Sequence, residues 1–289
     1  MRWCRAGNAK APSSTQLIGT MAIQTFETFP DELVQDPLVL FHGTSNLAEE
    51  AIDRDGLVMV TGSEHDEIIM SFWRIYEGIL QGMLVTNMKA FTSIPNWTSE
   101  RQAYGIRPIS LALTPFRCAL FASAQYAGGE VARTVALVLE ELEGFLSDEE
   151  LHHKWRELSA RRNRSMYEGG IPPEFSVPDG RLDLDALSSF LESIKPKCEP
   201  YLQLRQQYVY GVIYAVRLDA ERDMQHLRWE PSSSGIQVLR PIPVSSVVGK
   251  VHVEQTDISL LAMEQDDRER EIDLMKMEFW STLIPPLHS

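Results

Sequence analysis

Pro37-Leu38-Val39-Leu40-Phe41-His42-Gly43-Thr44-Ser45-Asn46 is the stretch whose reading decides the fold. The apolar run up to Phe41 reads as a buried strand, and the chain then breaks into a polar turn at His42-Gly43-Thr44. Sheet-based sites hold small ligands where an extended segment ends in this way. Ser45 and Asn46 are helix N-cap residue types, Leu47-Ala48-Glu49-Glu50-Ala51-Ile52 reads as a short helix, and Gly56 stops it before Leu57-Val58-Met59-Val60. The local order is strand, His-Gly-Thr-Ser turn, helix, Gly-Leu. A lone histidine at a strand end is more often a satisfied or surface side chain than a functional one, so His42 takes its meaning from what accompanies it.

Two further stretches accompany it. Pro108-Ile109-Ser110-Leu111-Ala112-Leu113-Thr114 is an extended apolar run, followed by Pro115 through Ala127 with helical spacing of Ala119, Ala122 and Tyr126. Ser110 is the polar residue within that strand, and a buried hydroxyl bonded to the main chain is the plain alternative to a pocket role. Farther on, Tyr210 to Asp219 reads as a strand. Then come the loop Pro231-Ser232-Ser233-Ser234-Gly235, a strand holding Gln237, the turn Ile242-Pro243-Val244-Ser245-Ser246-Val247 and a last strand ending at Val253.

Taken together, these stretches, spread over about residues 37–253, resemble the ADP-ribosyltransferase superfamily. Its members open with a strand, H-G-T/S, a helix and x-x-G-L. They carry a Tyr or Ser on a second strand followed by a helix reading A-x-x-Y-A or similar, and close with a strand, a substrate loop, a carboxylate and an I-P-x-x-x-I/V turn. The helix motif matches either as Ala122-Ser123-Ala124-Gln125-Tyr126-Ala127 or through Ala119 and Phe121, and both registers stay open here. The resemblance implies an α+β fold on a split, bent mixed β-sheet, with NAD as substrate and no metal. It also implies that His42 hydrogen-bonds a ribose, that the Gly43 main chain pairs with the nicotinamide carboxamide, and that Thr44, Ser110 and Tyr126 line the dinucleotide site. Gly43 suits that role because a side chain would block the approach.

The chemistry explains why those residue types are wanted. Cleaving the nicotinamide–ribose bond passes through an oxocarbenium-like centre, so fixing the dinucleotide and placing negative charge or acceptors beside the ribose accelerates it. Where the family's usual Glu would sit, this chain has Gln237. An amide holds a hydroxyl but is neither a general base nor a counter-charge. Three readings stay open: Glu230, across the Ser-rich loop, supplies the charge; the protein belongs to a branch needing no carboxylate; or it binds the dinucleotide without turning it over. As a loop acid beside Trp229 and Pro231, Glu230 also has a plain reading as a solvated side chain.

Composition bounds these expectations. A chain of 289 residues with 44% hydrophobic residues supports one sizeable core with an insertion or a small second domain. The net charge of −14 argues against a nucleic-acid phosphate surface as the main partner. The nearest basic cluster, Lys154 to Arg164, reads as a solvated helix face. Three cysteines without C-x-x-C spacing suggest neither a disulfide framework nor a zinc site and fit a reducing compartment. No stretch approaches the ~20 apolar residues of a membrane span.

The organisation expected from these signals is a leader at 1–20 and an ADP-ribosyltransferase-like domain at 21–255, with helical insertions at about 64–82 and 140–209. A C-terminal helical tail at 256–289 follows. The 140–209 segment is read as Glu140 to Ser165 helical, a Gly/Pro loop, and Leu182 to Leu204 helical with a break at Lys195-Pro196. In the tail, Glu264 to Phe279 reads as a helix with Ile272, Met275 and Phe279 on one face, docking back on the core by default. The expectation by resemblance is a mono-ADP-ribosyltransferase of the glycosyltransferase class, a toxin or effector acting in the cytoplasm or delivered into a target cell's cytoplasm to modify a protein. Its rival is a catalytically inactive NAD-pocket protein that binds a partner. Nearer alternatives are an NAD glycohydrolase and, weakest given the acidic balance, transfer of a phosphate from RNA to NAD.

Overall fold

The computed structural model describes residues 22–59, 68, 71–72, 108–150, 152–153, 173–175, 183–230, 235–254 and 267–284. Seven strands, β1 Thr25–Phe26, β2 Val39–Ser45, β3 Ile109–Ala112, β4 Gly211–Arg217, β5 Leu227–Glu230, β6 Gly235–Val238 and β7 Val247–Val253, form one sheet in the order β1-β7-β4-β2-β3-β6-β5. β1 and β7 run parallel and every other pair is antiparallel, so the sheet is mixed. Among the described residues the α-helices are α1 Asp31–Gln35, α2 Asn46–Asp55, α3 Pro115–Ala122, α4 Gly129–Ser147, α5 Leu184–Gln206, α6 Ala220–Asp223 and α7 Asp267–Leu283.

The two-residue alternation of the strands sorts their side chains onto two faces. Leu40, Leu111, Tyr214, Val216, Trp229, Ile236 and Val238 enter one core with Ile52 of α2, Leu57 and Ile242. Val39, Phe41, Ile213, Ala215 and Val253 enter the other with Cys118 and Ala122 of α3. A separate helical core forms where α4 and α5 pack with Phe175, Ile68 and Phe72. Of the expected 64–82 helix, only Ile68, Ser71 and Phe72 are described, and both Ile68 and Phe72 are buried there. The expected leader at 1–20, the basic cluster from Lys154 and most of the Ser-rich loop lie outside the described residues.

Two glycines carry the architecture. Gly56 ends α2 at φ 79°, where its N–H bonds the Ile52 carbonyl, and a Cβ there would stand 2.2 Å from the Ile242 oxygen. A Cβ on Gly43 would stand 2.2 Å from the Cys118 carbonyl oxygen and 3.2 Å from the Ala122 nitrogen, so α3 seats its main chain directly on β2.

Several expected boundaries move. β2 does not end in a turn at His42-Gly43-Thr44 but runs on to Ser45, because these residues pair with Tyr214, Ile213, Val212 and Gly211 of β4. α3 ends at Ala122, and Ala124–Tyr126 forms a 3₁₀ turn, so helical geometry does not extend to Ala127. The helix expected from Glu140 starts earlier, at Gly129. α5 runs unbroken through Pro196 and Pro200, where a break was expected. Leu187, Leu191, Ile194, Cys198 and Tyr201 along it are buried in the helical core, and that packing offsets the hydrogen bonds the prolines forfeit. Ser45 and Asn46 make no side-chain cap on α2. Asn46 instead accepts from Val209 N–H at 3.0 Å and so holds the segment entering β4.

α7 lies against the start of β2. Its inward residues are Ile272, Asp273, Lys276 and Trp280, while Met275 of the expected apolar stripe is exposed. Trp280 Nε1 donates to the Pro37 carbonyl at 2.9 Å, Lys276 Nζ donates to the Val39 carbonyl at 2.6 Å, and Asp273 pairs with Arg117 of α3.

Candidate functional site

The expected site residues converge on the middle of the sheet. β2 holds His42, β3 holds Ser110 and β6 holds Gln237, and these three strands are consecutive neighbours. The β2–β3 ladder has one pair, Phe41 with Ala112, and the strands then part. His42 bridges the two strands there: its Nδ1 lies 3.1 Å from the Ser110 main-chain oxygen. A carbonyl only accepts, so this contact places the proton on Nδ1 and leaves Nε2 as an acceptor. Loss of water around the imidazole pushes its pKa down, partly opposed by the Ser110 carbonyl, so the ring is neutral at pH 7.

His42 and Ser110 do not share a face. His42 stands opposite Tyr214, on the α2 side, whereas Ser110 stands opposite Gln237 on the α3 side. They meet because the imidazole reaches the Ser110 main chain; the Ser110 residue is exposed. Gln237 is buried and faces Arg228 across β5, giving a Ser110–Gln237–Arg228 row over three strands. Arg228 Nη1 donates to the Leu227 carbonyl at 2.7 Å, which fixes the guanidinium against its own strand. The Glu230 main chain pairs with Gly235, two residues before Gln237, and its side chain lies outside what is described. The row offers hydroxyl, amide and guanidinium groups: it can orient a hydroxyl-bearing ligand, and a base would have to come from elsewhere.

Two sequence expectations change here. The bare face of Gly43 is filled by the Cys118 main chain, so helix packing requires this glycine, and the expected open approach to a ligand on that face is not what it provides. Of the two helix registers, Ala119 and Phe121 fall on α3, with Ala119 buried and Phe121 exposed. Tyr126 falls on the following turn, half-buried, with its ring meeting Phe121 edge-on at 4.9 Å. Thr44 lies half-buried on β2 opposite Val212.

Other polar residues near the site were not singled out from sequence. Cys118 is buried and its thiol is pushed up to about 12 by loss of water, against hydrogen bonds with the main chain of Ala112 and Gly43. It ties α3 to β2 and β3 and is no nucleophile at neutral pH. On the α2 side, Glu49 receives Lys250 Nζ at 2.5 Å and Tyr210 Oη at 2.8 Å, with His252 Nε2 at 2.7 Å; Asp53 receives Lys250 and Tyr214. Loss of water pushes the Glu49 carboxyl up, and the bonds from Lys250, His252 and Tyr210 outweigh it and hold it at about 2. The signal for this network was the i, i+4 spacing of Glu49 and Asp53 on one helix face, but their partners come from strands some two hundred positions away.

Among the described residues no group of three or more His, Cys, Asp or Glu is placed to hold a metal ion, and no helix is long and apolar enough to cross a membrane. Comparison of the chain with family models, with curated proteins and with solved structures finds no match.

Proposed function

We propose that the chain binds NAD at the parting of β2 and β3 and transfers its ADP-ribose to a protein, as an ADP-ribosyltransferase of the glycosyltransferase class working as a toxin or effector. The observation that carries this reading is the convergence of three sequence-distant stretches on adjacent strands, with His42 bridging the gap to Ser110.

The residues fit the ribose end of a dinucleotide. The neutral imidazole presents Nε2 as an acceptor for a ribose hydroxyl, which positions the sugar without adding a positive charge beside a developing oxocarbenium centre. Ser110 adds a hydroxyl able to donate or accept. Gln237 orients but does not deprotonate, so Glu230 is the residue proposed to supply charge on the acceptor side.

One observation favours a second reading. Gln237 is a buried, neutral amide at the place where a carboxylate would promote turnover. A protein that keeps an NAD pocket to recruit a partner fits that substitution, and slow hydrolysis of NAD lies between the two.

Purified protein incubated with labelled NAD, with and without cell lysate, separates them. Label transferred to protein and lost in His42→Ala supports the transferase; nicotinamide release alone supports a glycohydrolase. Calorimetric NAD binding without turnover supports the binding protein. Unchanged turnover in a folded His42→Ala variant removes His42 from the site, and neither binding nor turnover removes NAD.

A further inference from the structure

One arginine of the candidate site has no acid to hold. Arg228 of β5 stands opposite Gln237 of β6, which stands opposite Ser110 of β3, so the three share the α3 face of the sheet. Its Nη1 donates to the main-chain carbonyls of Leu227 at 2.7 Å and Gln225 at 3.3 Å, and among the described residues Arg228 makes no ion pair and no further hydrogen bond. Arg54, Arg117, Arg217, Arg240 and Arg268 each hold a carboxylate, in keeping with a net charge of −14. Arg228 is half-buried, and its two carbonyl partners leave the guanidinium without a counter-ion and its Nε and Nη2 donors unused. β5 ends the sheet on this side, so Arg228 is the member of the row farthest from the β2–β3 parting.

No member of that row is a base. Gln237 is an amide, Ser110 a hydroxyl, and Arg228 keeps its proton. An acceptor that has to lose a proton finds no group in the row to take it. A carboxylate is already ionised at neutral pH, and it brings the negative charge that offsets an oxocarbenium-like centre. A guanidinium binds a carboxylate through paired N–H donors and repels a cationic acceptor such as an arginine side chain.

We propose that the acceptor is the carboxylate of an aspartate or glutamate side chain on the target protein, and that Arg228 selects it. This rests on the NAD reading above and names the acceptor that the reading leaves open. In the transfer, the bond between the ribose carbon and the nicotinamide nitrogen breaks, its electron pair leaves with neutral nicotinamide, and a carboxylate oxygen forms an ester to the same carbon. No proton moves, so the charge proposed for Glu230 stabilises the centre without acting as a base.

Labelling of a cell lysate from labelled NAD tests this, followed by treatment of the labelled protein with neutral hydroxylamine. Hydroxylamine cleaves the ester of a carboxylate and leaves an N-glycosidic link to arginine in place, so wild-type label is expected to be released. Arg228→Gln is expected to slow labelling about tenfold or more at limiting lysate, with the deficit closing as lysate is raised, and Arg228→Lys is expected to recover part of it. Unaltered thermal unfolding shows that each variant is folded, and the hydroxylamine arm needs no variant. Label that resists hydroxylamine overturns the carboxylate acceptor while the NAD transferase reading stands. Released label with equal labelling by wild type and folded Arg228→Gln removes Arg228 from the selection. No label on protein removes the transferase reading, and this proposal falls with it.

Discussion

Lys276 makes the stability of this protein depend on pH in a way that can be calculated. Its side chain is fully buried between α7 and the start of β2, with Nζ on the Val39 carbonyl and 5.0 Å from the centroid of the Phe41 ring. Loss of water pushes its pKa down to about 7, against the pull of Asp36, Asp273 and Cys118. The unfolded chain keeps an ordinary lysine, at 10.5. Between these two values the unfolded state holds a proton that the folded state lacks, so stability rises with pH from about 7 toward 10.5 and is flat below 7. Integrated from pH 6 to pH 9, the gain is about 2–3 kcal/mol, or about 5–10 °C in melting temperature for a chain of this size.

Lys276→Met removes the titration while keeping a long side chain in the space. The assay is thermal unfolding of both proteins at pH 6, 7.5 and 9. Other groups cancel in the difference; Cys118, the nearest thiol, titrates only near 12 and stays neutral throughout. The wild type should gain on the variant as pH rises, and at pH 6 the variant should be at least as stable, because it has no buried ammonium to desolvate. Parallel pH profiles would refute the assignment of Lys276 as the titrating group.

Three further outcomes are expected. Gly43→Ala should lower stability by at least about 1–3 kcal/mol, since the added methyl collides with the Cys118 carbonyl; an unchanged denaturant midpoint would show that α3 does not rest on β2 there. Glu49, held at about 2, contributes stability that is complete above its unfolded value of 4.5 and is lost as pH falls below it, up to about 3 kcal/mol, so Glu49→Gln should show a flatter urea-unfolding profile between pH 5 and 2.5. On the NAD reading, Glu230→Gln should lose more than tenfold in turnover, a barrier of at least about 1.4 kcal/mol, and Gln237→Ala less; the reverse order in a rate assay transfers the acceptor-side role to Gln237.

Much of the central sheet was legible because its signals are local. The short helix and the stop at Gly56 each follow from neighbouring residues and form where they were expected, whereas His42-Gly43-Thr44, read as a turn, continues β2 to Ser45 because β4 pairs with it along its whole length. The candidate site was legible only as a set of strands. Alternation along β2 could not reveal that His42 and Ser110 stand on opposite faces and meet through the main chain, because that depends on the register between strands far apart in sequence.

Helix ends and packing were less legible for the same reason. The apolar spacing up to Tyr126 continued a helical pattern that the chain ends at Ala122, where α3 is seated on Gly43 and Gly211. Pro196 marks a break by its own chemistry, yet burial against α4 keeps α5 whole.

The sequence by itself determined most of the extended and helical segments and the stop at Gly56, since those preferences act over a few residues. Only the tertiary structure decided that Lys276 would be a buried amine beneath the His42 strand, that Gly43 would serve a helix, and that Glu49 would hold Lys250. Each of those facts rests on contacts between residues far apart in sequence, and the free energy of burial and charge pairing is set where the chain brings such groups together.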